Sequence, residues 1–190
     1  MRKKLLAVIM AFSLAAGSAS YVPVLNDGAV AAEAAKKKVK KPSIKKIRKA
    51  VVNAFGESYA ADMSLTSEEI KTRYGIPSSW YTDAIAEIPM MSAHVDTFIA
   101  VKAKNKNARK KVKKKLSDYR KTLVADTMQY PMNLAKIQAS RVYVKDDYVF
   151  FIMLGFIDSS IEETGTDEQM IEAYKAENQK AVDAINALFK

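Results

Sequence analysis

Residues 148–154, "YVFFIML", place seven apolar side chains in a row between the paired Asp146–Asp147 and Gly155. A strand turns alternate side chains to opposite faces. A run with no polar position on either face is therefore a strand covered on both sides or central in a sheet. Short polar residues tolerate turn backbone angles best, so Asp146–Asp147 predicts a tight hairpin joining this run to "RVYVK" before it. The rest of the chain must supply neighbours for this ribbon.

A second ribbon lies earlier. In "HVDTFIAVKAK", Val95, Thr97, Ile99, Val101 and Ala103 fall on one face, with His94, Asp96, Phe98, Ala100 and Lys102 on the other. "SWYTDAIAEIPM", with its aromatic start, alternation and proline end, reads as the hairpin partner across a loop at Met90–Ala93. Helical spacing follows each hairpin. Ala108, Val112, Leu116, Tyr119 and Leu123 form an inner stripe over residues 107–128, ended by Pro131. After a capping box of Thr166 and Gln169, Met170 or Ile171, Tyr174, Ala181, Val182, Ile185 and Leu188 form another. Upstream, Ile44, Ile47, Val51 and Phe55 mark one helix, and Thr66 with Glu69 caps a second that Gly75 closes. The expected fold is α+β: a mainly antiparallel sheet built from two β-hairpin–helix units, helices packed on one face, preceded by two short helices.

The beginning of the chain reads as an address. Arg2, Lys3 and Lys4 precede an apolar run, Leu5 to Ala16, followed by small residues: the layout of a secretory signal peptide over residues 1–31, cleaved near Ala31. The run is short for a bilayer span. A basic linker, 32–43, leads into a single domain, 44–190. Between Lys36 and Lys49 stand nine Lys/Arg, a self-repelling block that holds an extended segment near anionic surfaces or simply solubilises it. The expectation is secretion or association with the outside of the cell.

The chain has no cysteine and one histidine. Disulfides, thiol nucleophiles, imidazole-rich metal centres and lipid attachment at cysteine are thereby excluded. A net charge of +10 raises nucleic acid as a partner, but an exported protein seldom meets any. Among candidate sites, pairing Pro89 with His94 would set Glu87 opposite Asp96 and Asp83 opposite Ala100. His94, Glu87, Asp96 and Asp83 would then share a face able to hold a divalent metal or pair a general acid with a base for metal-assisted hydrolysis. A slip of register dissolves that cluster, and the plain reading is a solvated face. Five acidic residues in "DSSIEETGTDEQ" lack EF-hand spacing and read as a loop. Met90, Met91, Met128, Met132 and Met153 would line a pocket for a small apolar ligand, or fill a core. Lys110, Lys111 and Lys114 on the third helix, with Lys36, Lys37, Lys38, Lys40 and Lys41 of the linker, make basic bands. These suit an anionic cell-envelope polymer or membrane surface, or are solvated faces.

"TRYGI", "IPMMSAHVDTFIAVKAK" and "QYPMNLAKIQASRVYVKDDYVFFIMLG" resemble the DUF4358 family, a domain of unknown function in exported proteins of Firmicutes. The resemblance runs from about Ile47 to the C-terminus. Many members are lipoproteins, a feature that this cysteine-free chain departs from, and the family supplies no catalytic residues to carry over. Together these readings favour a non-catalytic binding module of a Gram-positive envelope.

Overall fold

A computed structural model describes residues 41–91 and 93–190; the expected signal peptide and most of the basic linker lie outside them. Five strands form one sheet in the order β1-β2-β3-β5-β4: β1 Met63–Ser64, β2 Tyr81–Ile88, β3 Thr97–Ala103, β4 Arg141–Lys145 and β5 Tyr148–Met153. Every neighbouring pair is antiparallel. The fully apolar ribbon is β5, which lies between β3 and β4, with all six residues buried. Lys145 pairs with Tyr148 across a two-residue turn, where Asp146 takes φ 49°, the left-handed conformation that Asp tolerates.

Among the described residues six α-helices complete the fold: α1 Ile44–Phe55, α2 Ser67–Tyr74, α3 Lys106–Ala125, α4 Pro131–Ala139, α5 Ser159–Thr164 and α6 Asp167–Ala187. Both expected capping boxes form, Thr66 with Glu69 and Thr166 with Gln169. The α+β class, the two hairpins and the two short leading helices stand as expected.

The placement of all helices on one face does not. Phe98, Ala100, Phe150 and Ile152 pack with Ile47 and Val51 of α1 and Ala181, Val182 and Ile185 of α6. Ile99, Val101, Val149 and Phe151 pack with Ile70 of α2 and with Val112 and Leu116 of α3. Helices thus cover both faces. The physical reason is in β3 and β5 themselves, whose alternate residues are apolar on either side and must leave water on both.

Two segments read as irregular are helical. Pro131 does not end α3, which stops at Ala125; it opens α4, at a position where a missing N–H costs nothing. The acidic stretch after Ile157 contains α5, whose N-terminus is capped by the Asp158 carboxylate accepting from the Ser160 N–H at 2.8 Å. The Ser160 hydroxyl first, then that backbone bond, hold the Asp158 carboxyl below its usual range.

Candidate functional site

The first hairpin closes in a different register from the one expected. Glu87 faces Phe98 and Asp83 faces Lys102, with an irregularity between Tyr81 and Asp83. The partners are displaced by two residues, so β3 begins only at Thr97 and both His94 and Asp96 sit in the connection. The four candidate metal ligands consequently go to separate surroundings. Asp83 is exposed. The half-buried His94 ring meets Phe156 edge-on at 6.0 Å between centroids. Glu87 is fully buried and accepts from Arg48 Nε at 2.7 Å, Tyr59 Oη at 2.6 Å and Ser64 Oγ at 3.1 Å. Asp96, also fully buried, accepts from Lys136 Nζ at 2.8 Å and the Gly155 N–H at 3.1 Å. Among the described residues no group of three or more His, Asp or Glu is placed to hold a metal ion.

Each buried carboxylate is thus engaged by protein donors. Glu87, with three side-chain donors of which one is a guanidinium, has its oxygens committed within the protein and is not open to a substrate. Burial, reinforced by Glu87, pushes the Tyr59 hydroxyl well above its ordinary range, so it stays a proton donor to that carboxylate. Lys136 is enclosed between the rings of Phe156, 4.6 Å away, and Tyr174, 5.2 Å away. Burial first, then Glu162 and Asp96, raises the Tyr174 hydroxyl to about 12. Gly155 adopts φ +91°, and a Cβ there would come within 2.9 Å of Phe55 and 2.8 Å of Glu177. Only glycine lets the backbone N–H reach Asp96.

The other candidate surface is α3. Ala108, Val112 and Leu116 are buried, while Lys106, Lys110, Lys111, Lys113, Lys114, Lys115 and Lys121 are exposed. Arginine and lysine divide the work. Arg120 donates to the Ser140 and Gln138 carbonyls at 2.6 Å each, and Arg109 donates to the Asp146 carbonyl, so the arginines tie α3 to the second hairpin and its approach. The lysines face outward. Among them and the described residues, Lys114 alone forms an ion pair, 2.7 Å from Asp118, whose carboxyl it holds low. Lys111 lies over the Trp80 ring at 5.2 Å. Of the linker lysines, Lys36, Lys37, Lys38 and Lys40 fall outside the described residues, and Lys41 is paired with Asp147 at the second hairpin turn.

The family model for a domain of unknown function, DUF4358, matches residues 54–154. The chain belongs to the DUF4358 family. No curated protein and no solved structure matches it.

The DUF4358 match takes in all five strands, α2 to α4, Glu87, Asp96 and Lys136, and stops before α5 and α6. It is shorter than the resemblance read from the sequence, yet α6 completes this DUF4358 domain. Buried Asn178 of α6 accepts from the Leu154 N–H at 3.0 Å and donates to the Ala139 carbonyl at 3.1 Å. The methionines do not share one pocket. Met132 lines a hollow of about 370 Å³ between α4 and the α5–α6 region, with Leu134, Met170, Ile171 and Tyr174. Met90 and Met153 line another of about 430 Å³ with His94, Val95 and Leu123. Met90, Met91 and Met128 are largely exposed, at 76%, 64% and 89%. Sequence reasoning missed Arg48, Tyr59, Ser64 and Lys136 as carboxylate partners. Lys136 carried a signal: it stands between Ala135 and Ile137, both buried, in a short apolar segment.

Proposed function

We propose that this DUF4358 protein is an exported, non-catalytic binding module that attaches to anionic polymer or lipid of a Gram-positive cell envelope through the lysine face of α3. One observation carries the reading: seven exposed lysines on α3 and a single acidic partner for them among the described residues. Such a row is a concentrated positive surface whose pull on polyanions extends about a Debye length, roughly 10 Å at 0.1 M salt. The arginines of the same helix hold it to the body of the fold, so the row is displayed on a fixed support. Burial of Glu87 and Asp96 in ion pairs supports the non-catalytic part of the reading, since neither is left to act on a substrate and Asp83 stands exposed and apart from both.

The test is co-sedimentation of the protein with isolated envelope. Binding is expected at low salt, release at high salt, and a marked drop for the triple variant Lys110→Gln, Lys113→Gln, Lys114→Gln. Retention indifferent to both salt and the variant would reject the reading.

A further inference from the structure

Beyond the lysine row, the junction between α4 and β4 brings cations from three elements to one place. Arg120 of α3, Arg141 of β4 and Lys175 of α6 line a hollow of about 370 Å³ together with Gln138, Ser140 and Gln179. An adjoining hollow of about 380 Å³ shares Arg120, Ser140 and Arg141 and adds Ser117 and Lys121. No carboxylate lines either hollow. From these residues we propose an oxyanion pocket for a phosphate ester carrying a small polar group, such as a polyol or sugar.

How the two guanidinium groups are held is the central point. Arg120 is fixed by the backbone carbonyls of Ser140 and Gln138, through Nε and Nη2, which leaves its Nη1 uncommitted by those bonds. Arg141 is oriented by Gln179, donating from Nη1 to Oε1 at 2.8 Å, and lies 6.0 Å from the Tyr143 ring centroid. Both are positioned by neutral acceptors. A cation oriented by a carboxylate has its charge cancelled; one oriented by carbonyl and amide oxygens keeps it for an incoming anion. Two acids stand nearby and each is occupied. Glu172 pairs with Lys175 at 2.6 Å, an exposed pair one helical turn apart that exchanges at small cost, and Asp183 accepts from Gln179 Nε2 at 2.8 Å. Arg120 also offsets the negative end of α4, which would otherwise repel an anion here. Ser117, Gln138 and Gln179 supply neutral hydrogen-bonding groups for the polar substituent. The pocket is separate from the densest part of the lysine row, Lys110–Lys115, which lines neither hollow.

The experiment is a titration of the full chain, followed by backbone amide shifts and calorimetry, with sn-glycerol 3-phosphate, inorganic phosphate and sulfate. Saturable binding of glycerol phosphate is expected, tighter than that of the inorganic anions, with shifts centred on Arg120, Ser140 and Arg141. Arg141→Gln should weaken it by about tenfold, the effect of losing one charge-assisted contact, and adding Lys175→Gln should weaken it further. Both variants should keep the wild-type thermal midpoint, because neither side chain is buried. The triple lysine variant of α3 should bind glycerol phosphate normally, so failure of the pocket and failure of the envelope reading are read separately. Flotation with phosphatidylglycerol vesicles, competed by glycerol phosphate, would identify a lipid headgroup as the source. Glycerol phosphate binding without flotation would identify a soluble or polymer-borne ester. Absence of saturable binding, or binding unchanged in the Arg141→Gln, Lys175→Gln double variant, would overturn the pocket.

Discussion

Asp96 and Lys136 show what one buried ion pair asks of its neighbours. Their side chains are 0% and 5% exposed, so neither charge has water to fall back on. Desolvation makes such a pair a weak net stabiliser, but removing one partner strands the other. Lys136→Ala is therefore expected to lower unfolding stability by about 3–5 kcal/mol, measured as a shift of the urea midpoint at unchanged slope. Lys136→Met combined with Asp96→Asn should recover part of that loss. If the single variant cost under about 1 kcal/mol, as an exposed pair would, the pair would be no anchor. His94 is the contrasting case. Its identity was plain in the sequence, yet its surroundings depended on a register that a two-residue displacement changed, leaving it beside Phe156 and away from Glu87.

At the scale of elements, what was legible followed from how far each signal reaches. Capping boxes act over three residues, and both appear where Thr66 and Thr166 placed them. Thr166→Ala should cost about 1 kcal/mol, detected by thermal or chemical unfolding. Thr166→Asn, which keeps a cap acceptor, should cost much less. α4 was missed because its signals conflict: Pro131 stops a preceding helix as readily as it starts a new one, and Tyr130 provides no side-chain cap. β1, two residues long, carries no periodicity to read; it exists because Ser64 and Met63 meet the edge of β2.

For the molecule as a whole, buried tyrosines set an upper pH limit. Tyr59, Tyr74, Tyr119, Tyr148 and Tyr174 all have their hydroxyls raised, with burial the leading cause in each. A raised value means that the folded state holds the proton more tightly than the unfolded chain. Their contribution is fully present below tyrosine's ordinary value of about 10 and lost as pH rises through the folded values. For Tyr174 that window closes at about 12. Stability should thus fall from about pH 10 upward, and a part of the tyrosinate absorbance should appear only with unfolding. Denaturant unfolding followed at several alkaline pH values checks both. Free titration of all nine tyrosines in the folded state would contradict the burial described.

Short-range order was written in the chain: a wholly apolar ribbon had to be central, Asp146–Asp147 had to turn, and α3 had to show its lysines to water. These follow from periodicities of two and about 3.6 residues and from neighbours a few positions apart. Only tertiary structure decided that helices cover both faces of the sheet, and which groups meet Glu87 and Asp96. Their side-chain partners lie 39, 28 and 23 residues from Glu87 and 40 from Asp96, with the Gly155 amide 59 residues from Asp96. No local pattern encodes a meeting at that separation. It is set when whole elements pack, because a carboxylate leaving water must find its donors wherever the packed elements bring them.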